Sequence, residues 1–192
     1  GYEADDILGT LSAAAAKRGD ECFIATGDRD SLQLVSEQVT VLLAATKMGR
    51  PESTLYDVAA ILEKYTVLPE QLIDVKALMG DTADNIPGVP GIGEKTATNL
   101  IVAYGSIENA YAHVEEIKPN RAKEMLKEHY DMAQLSKTLA TIKIDADIPY
   151  DINEARIGNL YTPEAYMMCK RLEFKNLLKR FEVDTPVNTG EE

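Results

Sequence analysis

Residues 80–99, GDTADNIPGVPGIGEKTATN, constrain this chain more than any other stretch. Two aspartates, Asp81 and Asp84, stand three positions apart, and a helical turn there would put both carboxylates on one face. A glycine-rich turn, PGVPGIG, comes next over residues 87–93, and then a helix-forming run over 94–104. Gly88, Gly91 and Gly93 allow backbone conformations and close approaches that a Cβ would block. The helix behind them offers unpaired N–H groups and the positive end of its dipole, a setting that suits a phosphate. Oxygen donors of the kind that hold metals therefore lie one turn away from a phosphate grip.

The pattern on either side divides the chain into an α/β part and a helical part. Ile7, Leu8, Leu11, Ala14 and Ala15 form an apolar stripe at helical spacing, closed by Lys17, Arg18 and Gly19. Residues 21–26, ECFIAT, are expected as a buried strand, 39–43 as a second, and 53–56 as an edge strand returning from a turn over 47–51. Asp57 caps a helix over 58–65. Helices are expected over 69–79, 94–104, 107–114 (capped by Ser106), 120–129, 131–142, 163–172 and 174–181, with 144–150 extended. Residues 183–192, VDTPVNTGEE, have the composition of a linker or tail. The expected division is an α/β core over 1–66, a helical subdomain over 67–182 and the tail.

Three acidic groups occupy the ends of elements: Glu3, Asp5 and Asp6 in the first helical turn, Asp28 and Asp30 directly after the first strand, and Asp81 with Asp84. Each has an ordinary structural explanation. Acids favour a helix start, and an aspartate after a strand makes a turn or caps residues 31–34. Together they form a set of hard oxygen donors suited to Mg²⁺ or Mn²⁺. Converging, they could hold two ions roughly 3.5–4 Å apart, the spacing used for phosphodiester cleavage. Without cations, mutual repulsion would keep several of them protonated. The net charge of −12 speaks against a nucleic-acid partner only until such carboxylates are discounted. Basic residues cluster as Lys118, Arg121, Lys123 and Lys127, and as Lys170, Arg171, Lys175, Lys179 and Arg180; either alone makes an ordinary solvated helix face. Cys22 and Cys169 make no disulfide framework and, with two histidines, no zinc site. A reduced, cytosolic protein is expected. No apolar run approaches transmembrane length, and the chain opens on acids rather than on a signal sequence.

GYEADD, then ATGDRD after a strand, then GDTADNIPGVPGIGEKTA, in that order, resemble the flap endonuclease (5′-3′ exonuclease) family, and specifically the 5′-nuclease domain of bacterial DNA polymerase I. The likeness runs from Gly1 to about Phe181. It implies a PIN-like nuclease core, here with a partial, parallel-type sheet, and a C-terminal helical subdomain carrying a helix–three-turn–helix DNA-binding element over 86–96. It implies metal-dependent hydrolysis of DNA from a 5′ end or at a 5′ flap, as in primer removal during replication and in repair, in the bacterial cytosol and nucleoid. Glu3, Asp5 and Asp6 would serve a first metal, and Asp28, Asp30, Asp81 and Asp84 a second. Gly88, Val89, Gly91, Ile92, Gly93, Lys95 and Thr96 would grip the duplex backbone, with a K⁺ held by loop carbonyls and Lys95 beside a phosphate. Backbone gripping carries no base information, so recognition would be of DNA structure.

The chain begins at the third part of the family's pattern. Two strands supplying aspartates to the first metal, and the basic arch that threads the 5′ strand, would lie upstream. The expectations are a fragment of weak activity, polymerase domains in the same parent chain, and pairing of copies through an open edge at strand 22–26. The rival expectations are a DNA-binding module with structural acids, an acidic interaction domain, and an RNA nuclease of similar acidic fold.

Overall fold

Acid at one end and glycine at the other bound the first helix, α1 (Ala4–Arg18). Glu3 and Asp6 form its capping box, and Gly19 takes the left-handed conformation (φ 81°) while returning its N–H to the last turn. The computed structural model describes residues 1–47 and 49–184, so the expected tail beyond Asp184 lies outside the described residues. The face that α1 buries differs from the expected apolar stripe. Gly9, Thr10 and Ser12 are buried, whereas Ile7 is exposed. The reason is the segment after residue 140, which lies along α1: the Lys143 N–H donates to Asp6 Oδ1 (3.0 Å) and the Ala146 N–H to Thr10 Oγ1 (2.9 Å). Small and polar residues admit that backbone. The stretch expected as extended over 144–150 forms no strand: the Ala146 and Asp147 N–H groups go to the Thr10 and Tyr2 side chains, and the Ile148 N–H to the Ala146 carbonyl.

β1 (Cys22–Thr26) pairs parallel with β2 (Val39–Lys47), and β2 pairs antiparallel with β3 (Arg50–Tyr56), in the order β1-β2-β3. The sheet is thus mixed, a parallel pair with an antiparallel edge strand. A 3-10 turn (Asp30–Leu34) begins the crossover from β1 to β2. Ile24, Val41 and Tyr56 stand in register and pack with Leu32, Val35, Val39, Leu43 and Ile61 in one core cluster. On the other face Phe23 and Leu55 are exposed. Among the described residues the second edge of β1 has no strand partner. Cys22 and Cys169 are both free and half-buried.

Asp57 Oδ1 accepts the Ala60 N–H (2.8 Å) to start α2 (Val58–Tyr65). The helical part continues with α3 (Gln71–Met79), α4 (Glu94–Tyr104), α5 (Ile107–Ala112), α6 (Asn120–Glu128) and α7 (Tyr130–Ala140). α3 packs against both α4 and α7, and the second core gathers Val75, Ala77, Leu78, Leu100, Ile101, Ile107 and Leu126 among others. Tyr65 and Leu72 pack against both cores and join them. α3 also buries two charges, Asp74 and Lys76. Asp74 accepts the Ile107 N–H and pairs with Lys137 at 2.8 Å, tying α3 to α5 and α7.

These elements make one compact unit, Gly1–Ile148, and Pro149–Glu192 a second. The second holds α8 (Pro163–Arg171), with Thr162 as N-cap and proline in the first turn, and α9 (Lys175–Asp184). Phe181 meets Tyr161 and Tyr166 edge-on. Among the described residues no helix is long and apolar enough to cross a membrane.

Candidate metal centre and phosphate loop

α3 stops at Gly80, whose φ of 75° leaves the helical region and whose N–H returns to the Lys76 carbonyl (2.8 Å). Beyond it the chain does not make the helical turn that would place Asp81 and Asp84 on one face. Asp81 and Ile86 exchange both backbone hydrogen bonds (2.9 and 2.8 Å), Asn85 takes φ 56°, and Asp81 Oδ1 accepts the Ala83 N–H (2.8 Å). Asp and Asn favour such local turns over helix. The closed loop still aims both aspartates at one point. Its base depends on Gly88, at φ 66°, where a Cβ would lie 2.3 Å from the Gly80 nitrogen. The two backbones touch, and the Gly88 N–H donates to buried Ser136 Oγ of α7 (3.0 Å).

The point on which the aspartates converge holds the ammonium of Lys76. Its Nζ lies 2.6 Å from Asp84 Oδ2 and 3.0 Å from Asp81 Oδ2, and it also contacts Asp30 Oδ2. Burial works against the charged amine, but hydrogen bonds to Asp30, Asp84 and Asp81 outweigh it, and Lys76 is held protonated well above the usual lysine range. The same contact, helped by the Ala83 N–H, holds Asp81 below the ordinary carboxylate value.

Asp30 reaches this point from the end of β1. The Asp28 N–H donates to Thr26 Oγ1 (3.0 Å), and Asp28 Oδ1 accepts the Asp30 N–H (2.9 Å). Asp28 thus does the turn-forming work that its position suggests while standing in the cleft. Burial, then the charges of Asp28 and Asp30, push Asp5 up. Glu3, Asp5, Asp6, Asp28, Asp30 and Asp84 line one open cleft of about 580 Å³ together with residues 138–142 at the end of α7. Asp81 does not line it: with Lys76 it lines a second cavity of about 250 Å³, and Asp30 lines both. Asp6 differs from its neighbours: Oδ2 accepts the Glu3 N–H (3.1 Å) and Oδ1 the Lys143 N–H (3.0 Å).

The three acidic groups therefore share one place. The donors are oxygen only, as a hard divalent cation requires. Among the described residues, though, no three of these side chains are arranged to close on a metal ion; the carboxylates of Asp30, Asp81 and Asp84 close on an ammonium instead.

The glycine-rich turn divides into inward and outward parts. The Val89 N–H donates to the Leu78 carbonyl (2.8 Å) and the Ile92 N–H to the Val89 carbonyl (3.1 Å), and both side chains are buried. With the Gly88 N–H on Ser136, these three residues of the expected duplex grip are committed to the core. Among the described residues the N–H groups of Gly91, Gly93, Lys95 and Thr96 have no partner; the last three open α4, with Gly93 as N-cap, and Gly91 lies in the turn before it. Gly91, at φ 78°, is flanked by the Arg121 guanidinium of α6, 3.4 Å from where a Cβ would stand. In that basic segment Lys123 and Lys127 are paired with Glu115, while Lys118 and Arg121 have no carboxylate partner among the described residues.

Two residues of the site do not stand out in the sequence. Lys76 reads there merely as a helical residue, and Ser136 is not singled out. For Lys76 a signal existed: a lysine inside the apolar run LIDVKALM, eight positions before Asp84, is buried only when paired. Nothing in the local sequence marks Ser136.

Two family models match the chain: the 5′-3′ exonuclease N-terminal resolvase-like domain over residues 1–66, and the 5′-3′ exonuclease C-terminal SAM fold over residues 67–162. DNA polymerase I of Bacillus caldotenax is 45% identical over 181 residues, covering 94% of this chain and 20% of the relative. The thermostable DNA polymerase I of Thermus thermophilus is 42% identical over 181 residues, covering 94% and 21%. The chain thus spans about a fifth of the length of the curated relatives it matches. Among solved structures, the T5 5′-exonuclease with bound divalent metal ions (zinc) superposes with a TM-score of 0.63 at 25% identity, over 74% of this chain and 51% of that one. A pseudo-enzyme–product complex of the bacteriophage T5 D15 flap endonuclease shares the fold, with a TM-score of 0.60 at 24% identity, over 76% and 51%.

Proposed function

The chain belongs to the 5′-3′ exonuclease family, and on that premise we propose that it is the nuclease segment of a DNA polymerase I, hydrolysing DNA phosphodiesters from a 5′ end or at a 5′ flap in replication and repair. The observation that carries this reading is the gathering of Asp5, Asp28, Asp30 and Asp84 in one cleft, with Asp81 joined to Asp30 and Asp84 through Lys76, beside a loop whose outward N–H groups are unpaired.

In this reading Glu3 and Asp5 hold one divalent ion, and Asp28, Asp30, Asp81 and Asp84 a second, Mg²⁺ or Mn²⁺. Asp6, sequence-matched to the first site, acts there by fixing the α1 start from which Glu3 and Asp5 project. Bound divalent ions would supply a water of lowered pKa and charge stabilisation for the leaving oxygen. The relative with zinc in its structure is consistent with a metal-dependent reaction. Gly91, Gly93, Lys95 and Thr96 present N–H groups and a cation to a backbone phosphate, Arg121 adds a second cation beside Gly91, and loop carbonyls take a K⁺. None of these groups reads a base edge, so the substrate is chosen by structure: a flap, nick or gap. Polymerase domains share the parent chain, in the bacterial cytosol. The open edge of β1, with exposed Phe23, is where copies of the isolated chain would pair.

A DNA-binding module without catalysis is the second reading, favoured by the way the Lys76 ammonium already sits in contact with three of the acids. The double variant Asp81→Asn with Asp84→Asn, in a protein of the relatives' full length carrying this segment, separates the two. The expected result is loss of Mg²⁺-dependent flap cleavage by at least about a hundredfold, equivalent to roughly 2.7 kcal/mol of barrier, with flap-DNA affinity nearly unchanged. Surviving cleavage would remove these aspartates from the mechanism.

A further inference from the structure

We propose that Lys76 is an internal counter-ion of the cleft, occupying the Asp30–Asp81–Asp84 cation position until a divalent ion displaces it. The inference rests on the metal-binding reading above and adds a residue to it. Three carboxylates from two different loops meet on one nitrogen, at 2.6 Å for Asp84, 3.0 Å for Asp81 and in direct contact for Asp30. The three carboxylates already gather on a cation, and that cation is the protein's own ammonium.

The two cations would reach the site from opposite sides. Lys76 comes from inside: it lies on α3 between buried Val75 and Ala77, and its side chain is 10% exposed. The Asp84 side chain is 50% exposed and lines the open cleft, so an ion arrives from solvent. An ammonium and a divalent ion cannot share these oxygens, because like charges a few ångströms apart repel strongly in a partly buried setting. The loop carrying Asp81 and Asp84 is closed by its own Asp81–Ile86 backbone bonds. It keeps both aspartates facing the site when the ammonium leaves. Lys76 is therefore a positioning residue: it holds the empty centre together and lowers the affinity with which the centre takes a metal.

The test is calorimetric titration of Mn²⁺ alone into the metal-stripped 192-residue chain and its Lys76→Met variant. The variant is expected to bind Mn²⁺ about tenfold or more tighter. Its melting temperature in EDTA should be lower than that of the parent, and saturating Mn²⁺ should raise it by a larger increment. Equal or weaker Mn²⁺ affinity in Lys76→Met overturns the proposal. Should that variant fail to fold, NMR of the parent chain decides. The side-chain methylene signals of Lys76, assigned through Lys76→Arg, are expected to shift on Mg²⁺ saturation, and unchanged signals overturn the proposal. Failure of the underlying reading looks different. No binding of millimolar Mn²⁺ by parent and variant alike defeats the metal site itself. Binding by the parent with the Lys76 signals unmoved defeats only the role of Lys76.

Discussion

Adjacent residues of one helical turn carry different physical loads. Asp6 spends both oxygens on backbone N–H groups and fixes the start of α1, whereas Asp5 faces the cleft and is pushed up by burial and by Asp28 and Asp30. The sequence shows three acids in a helix start and cannot sort them, because dipole, cap and metal all favour the same residue types. The shift at Asp5 has a testable sign. A carboxyl raised in the folded state penalises folding while it is ionised; the penalty fades as pH falls through its raised folded value towards the ordinary one. In EDTA, Asp5→Asn should therefore melt a few degrees above the parent chain at pH 7.5. The gap should close as pH approaches 4. Thermal melts across that range check it, and a gap that widens in acid would contradict the assignment.

At the level of elements, the loop between α3 and α4 does two jobs because glycine lets its ends touch. Gly88→Ala would add a Cβ 2.3 Å from the Gly80 nitrogen at a positive φ. The expected cost is about 2–4 kcal/mol, the range of strained and overpacked sites. Because the same contact sets the loop base, the variant should also lose flap-DNA affinity; chemical denaturation and a binding isotherm measure the two effects. Much at this scale was legible in the chain. Asp57 and Ser106 mark helix starts that form as expected, Gly19 and Gly80 mark stops, and the apolar run at 22–26 is β1. Less legible were features set by distant partners. The Asp81/Asp84 spacing left open whether the turn is helical, and the Asp81–Ile86 pairing closes a loop instead. Val89 and Ile92 belong to the expected duplex grip, and their apolar side chains go to the core. The extended stretch after residue 143 finds partners on α1, more than 130 positions away.

On the scale of the unit Gly1–Ile148, the cleft is assembled from the start of α1, the end of β1, the loop after α3 and the end of α7. No single segment contains it, so one sequence could suggest the convergence only as a set of motifs in order. Gln33 secures the junction, with Nε2 donating to the Ala140 carbonyl (2.9 Å) and Oε1 accepting the Ile142 N–H (2.9 Å). This clamp fixes the end of α7 that lines the cleft with the acids. The convergence of the acids on a cation is the claim on which the proposed nuclease function depends. A crystal of this chain grown with MnCl₂ and measured at the manganese absorption edge tests it directly. The expected result is anomalous density in the cleft, against the carboxylates of Asp30, Asp81 and Asp84, with the Lys76 ammonium moved away. Density only elsewhere on the surface, with Lys76 still seated among the three aspartates, would contradict it.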